Sequence, residues 1–312
     1  MQRSLRRALV PLAALALALP LAACGDGGGS GGSADGGEVE VMTAFYPLQY
    51  AVEQIGGDAV TVASLVPAGT DPHSLELSPS QVASMSSADL VVYLGGFQPA
   101  VDDAVAQADP TALDVADAAR LEGEHAHAEG ETEEEHADHA GSSDPHFWLD
   151  PLRMADTADA VAANLAEAVP EQAETFEANA ADLRTRLEQL DTDYREGLAS
   201  CEQSTIVVAH EAYGYLTEAY GLEQVGIAGI DPESEPSPAR LREIERVIDE
   251  RDVTVVFTES LINPRVAQVL ADDLGITTAL LDPVENLTHP DSDYLAVMES
   301  NLATLREALR CA

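Results

Sequence analysis

The chain has no lysine. All fifteen basic residues are arginines, set against 56 Asp and Glu, and the formal net charge is -41. That imbalance argues against nucleic acid or an anionic membrane face as partner and favours cations. For most of these carboxylates a solvated acidic surface, including an adaptation to salt, is sufficient explanation. The sequence also lacks a second long apolar run after the N-terminal one, and it lacks a His-Glu-x-x-His hydrolase motif. Glu211 follows His210, but Gly214 stands where the second His would be. Cysteine is scarce, with three residues at 24, 201 and 311.

What is there begins with Arg3, Arg6 and Arg7, an apolar run from Ala8 to Leu19, and Leu21-Ala22-Ala23 ahead of Cys24. This order of charged, apolar and small residues predicts a secretory signal over 1–23 and an extracytoplasmic protein. About a dozen apolar residues, with Pro11 inside the run and Pro20 just after it, are too few and too broken to span a bilayer. The Leu-Ala-Ala-Cys order looks like the lipobox of bacterial lipoproteins, which implies that Cys24 carries the lipid of the mature chain. Residues 24–37, rich in Gly, Ser, Ala and Asp, then form a flexible tether. With Cys24 modified, Cys201 and Cys311 remain as an expected disulfide in an oxidising compartment.

Beyond the tether, short apolar runs alternate with amphipathic stretches. The runs are Val39–Thr43, Val60–Val66, Leu90–Leu94, Thr205–Ala209, Val253–Thr258 and Thr278–Leu281; the helical partners include Pro47–Ile55, Pro79–Ser86, Ala239–Asp249 and Pro264–Leu274. This is a βαβα pattern with parallel sheets, long enough for two lobes. The expected division is an N-terminal lobe over 38–150, a helical segment over 151–199 and a C-terminal lobe over 200–312. In the helical segment, Phe176, Leu183, Leu187, Leu190, Tyr194 and Leu198 recur at helical spacing behind Pro170. That helix, roughly 43 Å long at 1.5 Å per residue, can run the height of both lobes.

Residues 122–143 hold His, Glu, Ala and Gly without a large apolar side chain, so they are expected to form a disordered loop outside any core. Its histidines, His125, His127, His136 and His139, suit weak multiple metal contacts; a tolerated insertion is the alternative. His73 and His210 instead follow strands, as does Asp282 after Thr278–Leu281, and ligands in open parallel sheets bind beyond carboxyl ends of strands. His146, at the entry to the helical segment, joins them near the lobe boundary. Three imidazoles and one carboxylate make a closed four-coordinate set suited to zinc, whereas manganese prefers more oxygen and six-fold geometry. Glu259, after Val253–Thr258, faces the same rim and either steadies an imidazole or makes an ordinary structural hydrogen bond. Glu76 has the same two readings, and His289, in a turn without strand-end context, is taken as ordinary.

Together, Asp71-Pro72-His73 with Ser78-Pro79-Ser80, Asp144-Pro145-His146-Phe147-Trp148-Leu149-Asp150-Pro151, Ala209-His210-Glu211-Ala212-Tyr213-Gly214-Tyr215, Glu235-Pro236-Ser237-Pro238 and Leu281-Asp282-Pro283 resemble the zinc-type cluster of periplasmic and lipoprotein metal-binding proteins of ABC transporters. The likeness covers nearly all of Val39 to Ala312. It implies an α/β fold of two lobes, each with a four-stranded mainly parallel sheet flanked by helices, joined by a long rigid helix that restricts closure to a small tilt. It also implies a Zn2+ cargo held by His73, His146, His210 and Asp282; in some zinc members water or a loop carboxylate takes the fourth place. The implied partner is an ABC importer permease in the cytoplasmic membrane, served by a lipid-anchored monomer. The His-rich acidic loop ahead of the second ligand and a histidine at the third place are features of the zinc branch. The competing readings are a manganese or iron importer component, a zinc-dependent hydrolase with an open coordination position, and a metal-storing adhesin or surface chaperone.

Overall fold

The computed structural model describes residues 39–121, 144–287 and 291–312. The expected signal 1–23, Cys24, the tether, the four histidines of 122–143 and His289 lie outside them. The N-terminal sheet contains β1 (Val39–Thr43), β2 (Val60–Ser64), β3 (Leu90–Tyr93) and β4 (Ala112–Asp114), in the order β2-β1-β3-β4 with every pairing parallel. The C-terminal sheet repeats this order as β6-β5-β7-β8, again all parallel, from β5 (Thr205–Val208), β6 (Glu223–Gly226), β7 (Val255–Thr258) and β8 (Thr277–Leu280). In each, the chain leaves a central strand to one side and crosses back to the other, which opens a crevice at the carboxyl ends.

Sequence periodicity finds three strands of each sheet and misses β4 and β6. Both are short edge strands, and Glu223-Gln224 of β6 carry no apolar signal. The central strand β5 is buried along its whole length. Its alternate side chains enter different layers: Ile206 and Val208 join the large core, while Val207 packs with Ile244, Ile248 and Leu270 on the other face.

Helices α1 (Tyr46–Gly56), α2 (Pro79–Met85) and α3 (Pro99–Ala108) flank the first sheet; α6 (Gly214–Tyr220), α7 (Pro238–Glu250), α8 (Arg265–Leu274) and α9 (Tyr294–Ala308) belong to the second. Between them lie α4 (Pro151–Ala168) and α5 (Ala173–Leu198). All six residues of the expected stripe on α5 are buried. Near its start, Asn179 donates to Ile55 O of α1 at 2.8 Å; near its end, the Tyr194 hydroxyl donates to Met298 O of α9 at 2.7 Å. One helix of 26 residues, about 39 Å at 1.5 Å per residue, thus ties both lobes to a shared core. Among the described residues, no helix is long and apolar enough to cross a membrane.

Cys201 and Cys311 form a disulfide across a sequence separation of 110. It joins the start of the C-terminal lobe to its end, and in the chain-entropy picture so long a loop gives up to about 4.7 kcal/mol, with about 2–4 typical. Replacing both cysteines by serine is expected to lower the thermal midpoint of the metal-free protein by about 6–12 °C, measured by calorimetry against the oxidised wild type.

Candidate metal centre

One local device shapes the loops of the cleft. After five Asp-Pro pairs, the next residue donates its backbone N–H to Oδ1 of the aspartate: His73 to Asp71 at 2.7 Å, His146 to Asp144 at 2.9 Å, Leu152 to Asp150 at 2.8 Å, Glu233 to Asp231 at 2.9 Å and Val284 to Asp282 at 2.8 Å. Proline has a fixed φ and no competing N–H, so the carboxylate closes a tight turn on the following residue. In two of the five that residue is a histidine.

These turns and the strand ends bring His73, His146, His210 and Glu285 together, the one such group of potential metal ligands among the described residues. His73 lies in the loop after β2, His146 just ahead of the single turn Phe147–Leu149, His210 just past β5, and Glu285 in the loop after β8. The Nε2 atom of His146 is 3.2 Å from that of His73 and 3.3 Å from that of His210. Oε1 of Glu285 lies 3.1, 3.0 and 3.2 Å from Nε2 of His73, His146 and His210. Donors on zinc at about 2.05 Å with tetrahedral angles are about 3.3 Å apart, and these five separations come close to that spacing. His146 and His210 are fully buried, and the His73 side chain is 10% exposed.

The outward ring nitrogens of His146 and His210 are engaged. Nδ1 of His146 lies 2.7 Å from Asp144, and Nδ1 of His210 lies 2.8 and 2.9 Å from the two oxygens of Glu259. Each carboxylate holds the Nδ1–H tautomer and turns the Nε2 lone pair into the cluster. Strands β5 and β7 are neighbours, which places the residues just past them, His210 and Glu259, side by side. The Phe97 ring meets His73 edge-on at 4.9 Å, and Trp148 lies 5.2 Å from His146, so apolar rings wall the site.

Burial lowers the imidazole pKa values, but the carboxylates outweigh it: Asp144 and Glu285 raise His146 above its ordinary value, and Glu259 with Glu285 raises His210 well above it. Burial pushes Glu285 upward, yet its contacts with His146, His210 and His73 hold it well below the usual carboxylate range. Its Oε2 is buried with no hydrogen-bond partner among the described residues. A buried ionised carboxylate ringed by three nitrogens demands positive charge at the centre, supplied either by protons on the imidazoles or by a cation.

Asp282, expected as the fourth ligand, is not in this cluster. Its Oδ1 accepts from Val284 N–H and its Oδ2 accepts from the Ser260 hydroxyl at 2.6 Å, so the turn that it closes occupies both oxygens. The carboxylate delivered is Glu285, three residues on. Glu259 is in contact with His210, whereas Glu76 is exposed and outside the group. Asp144 was visible in sequence as part of a motif but not as the partner of His146. The repeated Asp-Pro-His spacing was the signal available for it.

Two parallel-sheet lobes with three imidazoles and a carboxylate gathered between them have the build of a cleft-type metal-binding protein. Residues 41–308 match the model of the family described as zinc-uptake complex component A, periplasmic (ZnuA), and the chain belongs to that family. It is 32% identical over 308 residues to the high-affinity zinc uptake system protein ZnuA of Bacillus subtilis, covering 93% of this chain and 94% of that one. It is 34% identical over 286 residues to the zinc-binding lipoprotein AdcA of Streptococcus pneumoniae, covering 87% of this chain; the match spans 56%, about half, of that longer protein. Among solved structures, the Zn(II)-bound ZnuA-like domain of S. pneumoniae AdcA superposes with a TM-score of 0.72 at 32% identity, covering 88% of this chain and 99% of that one. The laminin-binding adhesin Lmb of Streptococcus agalactiae superposes with a TM-score of 0.78 at 28% identity, covering 87% of this chain and 99% of that one.

Proposed function

We propose that this chain captures Zn2+ outside the cytoplasm and delivers it to the permease of an ABC importer. In this reading the ion is cargo, held by Nε2 of His73, His146 and His210 and by Glu285. The observation that carries it is the convergence of three imidazole nitrogens and one carboxylate oxygen at hydrogen-bond separations, a nitrogen-rich set of four donors that suits zinc, whereas manganese prefers more oxygen. The names of the relatives support zinc as cargo. Lipidation at Cys24, a lipid-anchored monomeric state and metal contacts by His125, His127, His136 and His139 belong to the same proposal. Four protein donors leave no open coordination position, which favours capture over the hydrolase alternative.

The test is metal stoichiometry and competition on the purified chain lacking residues 1–23. One tightly bound zinc that excess manganese does not displace is the expected result. Manganese displacing zinc, or no tight site, refutes the assignment. Asp144→Asn and Glu259→Gln, which keep shape but weaken the hold on the imidazole tautomers, are each expected to reduce zinc affinity about 10–100-fold, measured by competition with a chelator of known affinity.

A further inference from the structure

The turn that presents Glu285 is tied down differently before and after that residue. Before it, Asp282 holds Val284 N–H and the Ser260 hydroxyl, while Asn301 accepts from Asp282 N–H at 2.9 Å and donates to its carbonyl at 2.6 Å. Trp148 Nε1 donates to Pro283 O at 2.7 Å. After Glu285, the anchor is Asn286. Its Nδ2 donates to Pro67 O at 2.7 Å and to Thr70 O at 2.8 Å, and its Oδ1 accepts from Leu287 N–H at 2.9 Å. Two acceptors on one side and a donor on the other fix which way the amide points.

Those two carbonyls belong to the N-terminal lobe. Thr70 N–H closes a turn on Pro67 O at 3.1 Å, with Gly69 at φ 73°, a conformation that suits glycine, and the turn runs directly into Asp71-Pro72-His73. One side chain therefore connects the loop of Glu285 to the loop of His73, across 219 and 216 residues of sequence. Val284, immediately before Glu285, has φ 58°. For a β-branched residue this left-handed conformation is strained and persists where its surroundings hold it. A cleft of about 740 Å³, lined by Tyr46, Pro67, Gly69, Ser260 and Asn286, lies beside this contact.

We infer that Asn286 is a positioning residue for metal retention: by tying the Glu285 turn to the His73 loop, it keeps a strained turn closed on the cluster and slows release of the ion. The inference rests on Glu285 being a ligand, as proposed above. Metal and latch then cooperate, because an ion that holds Glu285 also holds Asn286 in register with the other lobe.

The experiment measures zinc release into excess chelating dye by stopped flow, together with zinc affinity, on the chain lacking residues 1–23. The variants are Asn286→Ala, Asn286→Asp, Glu285→Gln and the double variant Glu285→Gln/Asn286→Ala. Asn286→Asp keeps the shape and removes both donors, so it reads the latch even if alanine disturbs folding. Both Asn286 variants are expected to release zinc at least about tenfold faster while association changes less than about threefold. In the Glu285→Gln background the Asn286→Ala effect is expected to shrink below about threefold, since residues acting through one another are non-additive. Equal effects in both backgrounds overturn the inference in favour of a merely structural contact. Wild-type release from both Asn286 variants, with Glu285→Gln impaired, overturns the inference alone. Glu285→Gln binding like wild type removes the ligand assignment and the inference with it.

Discussion

Replacing His210 by alanine is expected to abolish tight zinc binding, with a loss of about 10²–10³ in affinity. Zinc held by four protein donors is worth about 10–16 kcal/mol in small folded sites, so one donor carries roughly 3–4 kcal/mol. Here the loss is compounded. Glu259 directs both oxygens at His210 Nδ1 and is 1% exposed, so removing the imidazole leaves a buried carboxylate without that partner. A chelator competition series checks the affinity, and circular dichroism of the metal-free variant establishes that the fold is intact. Binding within tenfold of wild type would contradict the assignment of His210 as a ligand.

Zinc affinity is expected to climb steeply with pH, by up to about 100-fold per unit through the neutral range. The sign follows from the charges around the cluster. Asp144 and Glu285 keep the proton on His146 above its ordinary pKa, and Glu259 and Glu285 do so more strongly for His210. Zinc takes neutral imidazoles and displaces those protons. With two protons released per ion, the logarithm of the association constant rises with a slope approaching two and flattens once pH exceeds the raised imidazole values. Glu285, held ionised well below the usual range, adds no slope there. Competition titrations between pH 5.5 and 8.5, with proton release measured in buffers of different ionisation enthalpy, check both slope and stoichiometry. A flat profile would mean that the metal-free imidazoles are already neutral.

His73 and His210 were legible because a strand end is a local signal, and His146 from its place at the entry to the helical segment. Core strands and the stripe from Phe176 to Leu198 were legible for the same reason, since periodicity reports burial within one element. The carboxylate of the cluster was not. Placing the acid at a strand end selected Asp282, whereas the Asp282 carboxylate accepts from Val284 N–H and the Ser260 hydroxyl and it is Glu285, three residues on, that meets the imidazoles. The contact of Asn286 with Pro67 and Thr70 depends on how the lobes meet, and no pattern within either segment encodes it.

Trp148 is the sole tryptophan of the chain. Its ring lies 5.2 Å from that of His146, it is fully buried, and its N–H is fixed on Pro283 O. The molecule therefore contains its own optical gauge. Excitation of one indole reports on the neighbourhood of the cluster and on the turn carrying Glu285, with no label and no second emitter of its kind to subtract. A closed-shell d¹⁰ ion such as zinc alters that emission through its charge and by immobilising the ring's surroundings, whereas an open-shell ion at the same position quenches it. The same cuvette thus distinguishes an empty cleft, a cleft holding zinc and one holding a paramagnetic competitor.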